Sequence, residues 1–208
     1  MKNRILVLGL LLSTSWVTSV NANLIINGGF ENPTTGNRLG GGSDWDYYAA
    51  ASVPGWEGDN IELWTGRQPT AIEGQRYAEL NAHGNNSGAW SIFQTFDTIA
   101  SQTYDFSFIY SARRGNTEIS DEAFNVSVDN LNFNLSNHVA GSWLTSSNRF
   151  IADSTSTTLR FTSITPYSGT YGNFLDKIEV TAVVPEPSIL ALFSLGLAGL
   201  GFARRRNS

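Results

Sequence analysis

Apolar and polar residues alternate along most of the chain between residues 23 and 182. In the segment TYDFSFIY, residues 103–110, the alternate positions are aromatic and would share one face of an extended chain. A period of two is typical of β-strands that bury one face. The same alternation, complete or partial, recurs in NLIIN, IELW, RYAEL, AWSIFQTF, AFNVSVD, TTLRFTSI and FLDKIEVTA.

These segments predict about eight to ten strands, which are separated by turns rich in Gly, Asn, Ser and Pro. No segment before the C-terminal tail has a sustained helical period. Many short strands in a single domain favour an all-β fold, and we expect a jelly-roll β-sandwich over residues 23–182.

The first 22 residues have the pattern of a secretory signal peptide. Lys2 and Arg4 precede an apolar run over residues 5–12, and small residues near Ala22 offer a cleavage site. We therefore predict a signal peptide over residues 1–22 and a mature chain that begins near Asn23.

The C-terminal segment, residues 183–208, combines a Pro-Glu-Pro motif, an uncharged run and an arginine cluster. The run over residues 189–203 would form a helix of about 22 Å, shorter than the ~30 Å hydrocarbon core of a bilayer. The arginines are expected to stay cytoplasmic by the positive-inside rule. The motif residues are Pro185, Glu186, Pro187, Arg204, Arg205 and Arg206.

This order of elements at the end of the chain resembles the PEP-CTERM sorting signal of Gram-negative bacteria. The resemblance implies that an exosortase embedded in the inner membrane recognises the motif and removes the tail. It also implies a transient intermediate in that membrane, with the domain facing the periplasm. The expected destination is the cell surface or an extracellular polysaccharide matrix.

Charge and cysteine content narrow the possible partners of the domain. Five of the 13 Lys and Arg residues and one of the 18 Asp and Glu residues lie in the terminal segments, which leaves 8 against 17 and a net charge near −9. This charge argues against nucleic acid, which needs a basic surface, and is compatible with neutral sugars and divalent cations. The chain has no cysteine, so no disulfide stabilises the domain.

Two carboxylates are candidate metal ligands. Asp176 shares the parity of the apolar residues in NFLDKIEV, a position that requires a partner or a cation if it faces the core. Glu31 lies near the start of the domain, and the first and last strands of a sandwich commonly lie close together. Two carboxylates with loop carbonyls suit calcium, which takes six to eight oxygens. Alternatively, Asp176 pairs with an arginine such as Arg160 or accepts bonds from a backbone turn.

Several segments together resemble galactose-binding-like domains and related carbohydrate-binding modules: NLIINGGFE, VPGWEG, IELW, EGQRYAELNA, SIFQTF, YDFSFIYSARRG and GNFLDKIEV. The resemblance implies a jelly roll with a structural calcium ion near both termini, and Glu31 and Asp176 occupy the matching ligand positions. Lys177 departs from the Asn or Asp that usually follows the late aspartate, which puts a second side-chain ligand there in doubt.

The segment GGGSDWDYYAAASVPGW, residues 40–56, is the candidate sugar site. Its glycines indicate that Trp45, Tyr47 and Tyr48 lie in a loop, and exposed loop aromatics are typical of binding sites. Such rings stack on the apolar face of a pyranose while amides and carboxylates bind its hydroxyls. The candidate hydrogen-bonding residues are Asn85, Asn86 and Glu57. Trp56, by contrast, is expected in the core.

Other polar residues are expected to be structural. A lone histidine such as His83 is usually incidental, and Arg113, at the end of a core strand, is expected to pair with an acid. No motif of a serine, cysteine or metal hydrolase is present, and no pair of acids is marked as catalytic. We therefore predict an exported, non-catalytic carbohydrate-binding protein. The alternatives are a structural matrix protein without a specific sugar ligand and, least favoured, a glycan hydrolase.

Overall fold

The computed structural model describes residues 22–66, 69–84, 90–113, 122–136, 139–165 and 170–184. Two short 3₁₀ turns lie at Thr35–Asn37 and Ala50–Ser52. The strands are β1 (Arg38–Gly41), β2 (Trp45–Tyr48), β3 (Glu57–Gly58), β4 (Ile61–Thr65), β5 (Arg76–Glu79), β6 (Ser91–Asp97), β7 (Thr103–Ala112), β8 (Ala123–Val128), β9 (Leu131–Ser136), β10 (Leu144–Ile151), β11 (Ser156–Thr165) and β12 (Asn173–Ala182). The predicted signal peptide, apart from Ala22, lies outside the described residues, as does the sorting segment from Pro185 onward.

The strands form two antiparallel sheets, which confirms the predicted all-β sandwich. Sheet A has the order β1-β2-β4-β5-β12-β7-β10, and sheet B has the order β3-β6-β11-β8-β9. The long strand β12 lies near the middle of sheet A, between β5 and β7. The last strand of the chain therefore joins the two halves of that sheet.

The main core lies between the two sheets and is built from the alternating apolar residues. Phe106 and Phe108 of β7 face Phe124 and Phe161 of sheet B, and the Phe108 and Phe161 rings meet edge to face at 5.0 Å. Each of these phenylalanines is at most 1% exposed. Burial of one such side chain contributes about 1.5–3 kcal/mol, so this aromatic layer is a major source of stability in a domain without disulfides.

A second apolar cluster covers the opposite, outer face of sheet A. Trp64, Tyr77 and Phe174 are buried there, with Trp45 and Trp143 packed against them. The Trp143 indole nitrogen also donates to the carbonyl of Thr70, at 2.7 Å. The outer face over β4, β5 and the start of β12 is therefore aromatic and packed, which is unusual for a sheet face that looks away from the core.

The start of the domain, predicted as a strand in NLIIN, forms turns instead. Asn27 has a φ of +54°. The side chain of Gln94 accepts from the amide of Ile26 at 2.6 Å and donates to its carbonyl at 3.0 Å, so a side chain replaces the neighbouring strand. The predicted proximity of the start and the end of the domain is confirmed, because the amide of Leu24 donates to the carbonyl of Val180 at 2.8 Å.

A β-bulge in β12 corrects the predicted facing of Asp176. Asp176 pairs with Ile109 and Glu179 pairs with Ser107, so β12 contains one extra residue between these pairs. Lys177 sits at the bulge with a φ of +49°. The extra residue shifts the alternation, and Asp176 lies on the outer face while the residues after the bulge, such as Ile178, point into the core.

Asp176 is nevertheless buried, because a turn folds over it. Its Oδ2 accepts from the amides of Ile72 and Glu73, at 2.8 and 3.2 Å, and its Oδ1 accepts from Lys177 at 2.7 Å. Burial raises the pKa of this carboxyl to about 6, although these three amides act in the opposite direction. Of the two non-metal partners considered for Asp176, an arginine and a backbone turn, the structure shows the backbone turn.

We expect Gly28→Ala to destabilise the protein. A β-carbon at Gly28 would lie 2.0 Å from the carbonyl oxygen of Ile178, which is held in β12 and cannot retreat. The free energy of unfolding should fall by about 1–3 kcal/mol in denaturant titration, as for other overpacked sites. Gly36→Ala is the matched control, since nothing lies within 4 Å of its position. Equal midpoints for the two variants would contradict the close approach of these segments.

Asp176 should also make stability depend on pH. Its folded pKa of about 6 lies above the ordinary aspartate value, so the native state binds the proton more tightly than the unfolded state. The free energy of unfolding therefore falls as pH rises from the ordinary aspartate pKa to the folded pKa. Asp176→Asn removes this loss, and its stability relative to the wild type should improve from pH ~4 to ~7. For comparison, a hydrogen bond from Arg149 lowers the pKa of Asp105, so Asp105→Asn should lose stability relative to the wild type as pH rises toward ~4, below the range in which Asp176 acts. Parallel pH curves for all three proteins would refute this assignment.

Candidate functional site

Two rows of side chains cross the outer face of sheet A and define the candidate site. The strand register places Tyr47 opposite Glu62, and Glu62 opposite Glu79. In the neighbouring row, Trp45 lies opposite Trp64. Carboxylates in one row thus lie beside aromatic rings in the other.

The solvent-facing part of this site is a half-buried aromatic platform, which we define as Trp45, Tyr47 and His83. The Trp45 ring lies 6.2 Å from the Tyr47 ring and 4.2 Å from the His83 ring, and it is nearly parallel to both. On its other side Trp45 packs against buried Trp64, with ring centroids 6.3 Å apart. The platform is therefore backed by the second apolar cluster.

Trp45 and Tyr47 lie on a strand, not in the predicted loop. They belong to β2, which forms a hairpin with β1, and the amide of Gly42 donates to the carbonyl of Trp45 at 2.8 Å to close the turn. Gly40 leaves room for the Tyr47 ring, since a β-carbon there would meet it at 2.5 Å. The glycines therefore permit a tight hairpin with the Tyr47 ring lying over it, and not the predicted loop.

His83 follows Asn81 and Ala82 in a polar segment whose side chains the sequence offered as possible partners of sugar hydroxyls, although a lone histidine was expected to be incidental. Its Nδ1 lies 2.6 Å from Glu62 Oε2, and its amide donates to the same oxygen at 3.1 Å. The amide group of Asn60 donates to its carbonyl at 3.3 Å. These contacts hold the imidazole flat against Trp45, so the histidine is part of the platform rather than an incidental surface residue.

Glu79 holds the buried side of the site together. Its carboxylate accepts from the Trp64 indole at 2.7 Å, from the Gly172 amide at 2.7 Å and from Arg113 at 3.0 Å. Burial raises the pKa of Glu79 well above its usual range, while the charge of Arg113 lowers it and that of Glu62 raises it. This carboxyl is completely buried and is fixed by its donors.

Arg113 forms the ion pair with Glu79, which confirms the prediction that Arg113 pairs with an acid. Its guanidinium lies 4.7 Å from the Trp64 ring and 4.0 Å from the Tyr171 ring, and also donates to the carbonyl of Thr170. The amide of Arg113 donates to Glu122 at 2.9 Å. A positive group enclosed by aromatic faces and a carboxylate is thus already present on this face.

Glu62 is the other buried acid of this row, and one of its oxygens lacks a partner among the described residues. The side chain is 0% exposed, and within the described part of the chain Oε1 has no hydrogen bond, although Oε2 accepts two from His83. A buried carboxylate oxygen without a donor is costly and rare in native proteins. Glu62 Oε1 is therefore a buried acceptor of this site that lacks a hydrogen bond within the described part of the chain.

The structure separates the remaining predicted sugar-binding residues. Tyr48 was predicted beside Trp45 and Tyr47, but alternation along β2 turns it into the main core, where it is 3% exposed. Glu57 is exposed on β3 of sheet B, where it pairs with Phe93, so it lies on the other sheet. Asn85 and Asn86 lie outside the described residues. Trp56 is in the core, as predicted.

The two predicted calcium ligands both accept hydrogen bonds from the same turn, residues 72–76. Glu31 Oε1 accepts from the amides of Gln75 and Arg76, at 2.9 and 2.6 Å, just after the residues that bind Asp176. Their oxygens suit calcium, yet Glu31 Oε1 and both oxygens of Asp176 already accept backbone N–H groups. Among the described residues, no group of three or more His, Cys, Asp or Glu side chains is arranged to hold a metal. The calcium site stays a prediction.

A polar depression of about 640 Å³ lies elsewhere on sheet A, over β7, β10 and β12. Its best-defined feature is a two-bond ion pair, in which Arg149 donates to both oxygens of Asp105 at 2.6 and 2.9 Å. The lining also includes hydroxyls and an acid, at Ser107, Ser147, Glu179 and Thr181. These side chains are largely satisfied or solvated, so the depression is a weaker candidate than the platform.

Solved structures with a similar fold include several from sugar-binding and sugar-cleaving proteins. An arabinose-bound α-L-arabinofuranosidase, MgGH51, has a TM-score of 0.52 at 11% identity, over 78% of this chain and 26% of that one. TmCBM61, solved in complex with β-1,4-galactotriose, has a TM-score of 0.47 at 17% identity, over 78% of this chain and 99% of that one. At these identities the likeness concerns the fold alone.

One curated relative is halomucin from Haloquadratum walsbyi, which is 26% identical over 184 residues. That match covers 82% of this chain but only 2% of halomucin. The chain therefore corresponds to a small part of that relative.

Family models match both parts of the chain beyond the first 22 residues. Residues 183–206 match the PEP-CTERM protein-sorting motif, which confirms the predicted sorting signal and indicates export to the cell surface or extracellular space. The predicted tail helix lies outside the described residues, within which no helix is long and apolar enough to cross a bilayer. Residues 23–181 match the model described as DUF642, protein of unknown function. The chain belongs to the DUF642 family.

Proposed function

We propose that this protein is exported, processed by an exosortase, and binds a polysaccharide of the surface or extracellular matrix without cleaving it. The observation that carries the proposal is the aromatic platform of Trp45, Tyr47 and His83 on the outer face of sheet A. Aromatic rings of this kind stack on the apolar faces of sugar rings. The sorting motif supplies the route to the matrix.

Rigidity supports a binding role for the platform. The strand register fixes Trp45 opposite Trp64, and Glu62 Oε2 contacts both the backbone amide of His83 and the Nδ1 atom of its imidazole. A surface that is already ordered loses little entropy when a ligand binds, so weak stacking contacts suffice for measurable affinity. Asn60 lies beside the platform, and Asn85 and Asn86, which follow Gly84 in sequence, stay predicted partners of sugar hydroxyls.

Burial of the two acids supports binding rather than hydrolysis. Glycosidases act through two carboxyl groups that reach the scissile bond from either side. Glu62 and Glu79 are both 0% exposed, and Glu79 is fixed by an arginine, an indole and an amide. Carboxyl groups held in this way stabilise the face of the sheet and are not placed to protonate a leaving group.

The position of the platform suits a protein that is tethered at its C-terminus. The site lies beside Phe174 at the start of β12, whereas Val184, next to the sorting motif, follows the end of that strand. Eight residue steps separate Phe174 from Ala182, the last residue of β12, or about 26 Å at ~3.3 Å per residue. During the transient stage in the inner membrane, the platform would therefore lie away from the anchored end.

We expect the platform substitutions Trp45→Ala and Tyr47→Ala each to weaken glycan binding at least about tenfold, equivalent to ~1.4 kcal/mol. A glycan array on the purified protein identifies the ligand, and calorimetry on the best hit gives the affinities. Phe93→Ala is the matched control, because Phe93 is a partly buried aromatic residue on the outer face of sheet B, stacked under Arg160.

Other outcomes of the same experiment point to the alternatives. Saturable binding that survives both platform substitutions would place the site elsewhere. A blank array with a folded protein would favour a structural matrix role without a sugar ligand. Release of reducing ends from any glycan would establish hydrolysis and refute the non-catalytic assignment.

Calcium is a separate proposal, in which Glu31 and Asp176 supply carboxylate oxygens to a stabilising ion. A chelator should then lower the melting temperature of the wild-type protein, and added calcium should restore it. Glu31→Gln and Asp176→Asn should abolish both effects, whereas Glu57→Gln, an exposed acid on β3, should not. An unchanged melting temperature would mean that the two carboxylates hold the turn at residues 72–76 by hydrogen bonds alone.

A further inference from the structure

The His83 side chain occupies the aromatic platform as a flat ligand would. Its imidazole lies 4.2 Å from the Trp45 ring at an angle of 16°, which is the geometry of a stacked ring. At the same time its Nδ1 lies 2.6 Å from Glu62 Oε2. The imidazole therefore makes two contacts at once: it covers one face of the Trp45 indole, and it binds the buried carboxylate of Glu62.

Within the part of the chain that the structure describes, Glu62 has no arginine or lysine partner. Glu62 and Glu79 face each other across β4 and β5, and of these two acids Arg113 bonds Glu79. The partner that Glu62 has at Oε2 is a histidine, a residue type without a permanent charge. Its other oxygen, Oε1, has no hydrogen-bond partner among the described residues. A ligand that brings a positive charge would gain more here than a neutral one.

The neighbouring pair shows how this face accommodates a cation. The Arg113 guanidinium lies between the rings of Trp64 and Tyr171 and is bonded to Glu79. Glu62 repeats this arrangement one strand closer to the sheet edge, with Trp45 and Tyr47 as the rings. In this second position the place of the cation is taken by His83, whose side chain is 37% exposed, so a ligand can reach it from solvent and compete for its contacts with Trp45 and Glu62.

We propose that the platform selects sugars that carry a free, protonated amine, with the sugar ring replacing His83 on Trp45 and the ammonium group replacing its Nδ1–H at Glu62. The ligand class is a polysaccharide of amino sugars with unacetylated amines. This inference rests on the proposed sugar-binding function and names the substrate class of the same site. Cation–π attraction to Trp45 and Tyr47 adds to the ion pair with Glu62.

The test compares two probes that differ only at the amine. Glucosamine oligomers and N-acetylglucosamine oligomers of the same length are titrated against the full chain at pH ~6, below the ordinary pKa of an amine. We expect the amine form to bind at least about tenfold more tightly, the scale of a charge-assisted hydrogen bond. Glu62→Gln should remove this preference, because glutamine keeps an acceptor for His83 but lacks the charge.

Two further variants separate the parts of the proposal. His83→Ala should strengthen binding of the amine oligomer, since the ligand no longer has to displace the imidazole. Glu57→Gln, an exposed acid on the other sheet, should leave the preference unchanged. A trilysine peptide controls for general attraction to this acidic domain, and it should bind at least tenfold more weakly than the glucosamine oligomer. Melting temperatures of all variants confirm that they are folded.

Each result bears on a distinct claim. Equal or tighter binding of the acetylated oligomer by the wild type would overturn the amine selectivity while leaving the sugar-binding function intact. Retention of the preference in Glu62→Gln, or equally tight binding of trilysine, would overturn the role of Glu62. Weaker amine binding by His83→Ala would show that His83 contacts the ligand instead of giving way to it. No binding of either oligomer, together with a blank glycan array, would refute the proposed function itself.

Discussion

The bulge at Lys177 in β12 is the constraint on which the rest of the structure depends. By adding one residue, it lets a single strand present Phe174 and Asp176 to the outer face of sheet A and Ile178 to the main core. The amide of Ile178 also donates to the carbonyl of Gly28, at 3.1 Å, which ties the start of the domain to its end. Without the bulge, Ile178 and Val180 would point away from the main core.

The outer apolar layer gives the candidate site its rigidity. Phe174 packs against Trp64 at 6.0 Å and against Tyr77 at 4.9 Å, and Trp64 in turn lies behind Trp45. The row of acids next to these rings is buried by the same packing. Polar groups buried in this way must be paired within the protein, which explains why Arg113 is fixed between two rings at Glu79.

The site therefore combines two opposed requirements. Close packing of Trp64 and Tyr77 excludes water and stabilises the sheet, but it also removes solvent from Glu62 and Glu79. At Glu79 the cost is offset by three kinds of donor. At Glu62 the compensation is incomplete, and this difference distinguishes a structural acid from one that is available to a ligand.

The sequence by itself determined seven strands of the sandwich (β4 to β8, β11 and β12), the acidic character of the domain, the pairing of Arg113 with an acid, and the sorting motif. Alternating aromatics such as those of β7 can bury one face only as a strand, and the order of Pro-Glu-Pro, apolar run and arginines needs no tertiary information. Only the tertiary structure decided that Tyr48 belongs to the core, that Glu57 lies on the other sheet, and that Glu62 meets His83. Alternation assigns residues to two faces but does not reveal which face is covered, where a bulge shifts the phase, or which distant strand becomes the neighbour. Those choices depend on pairing between segments far apart in the chain, and that pairing is what assembles the site.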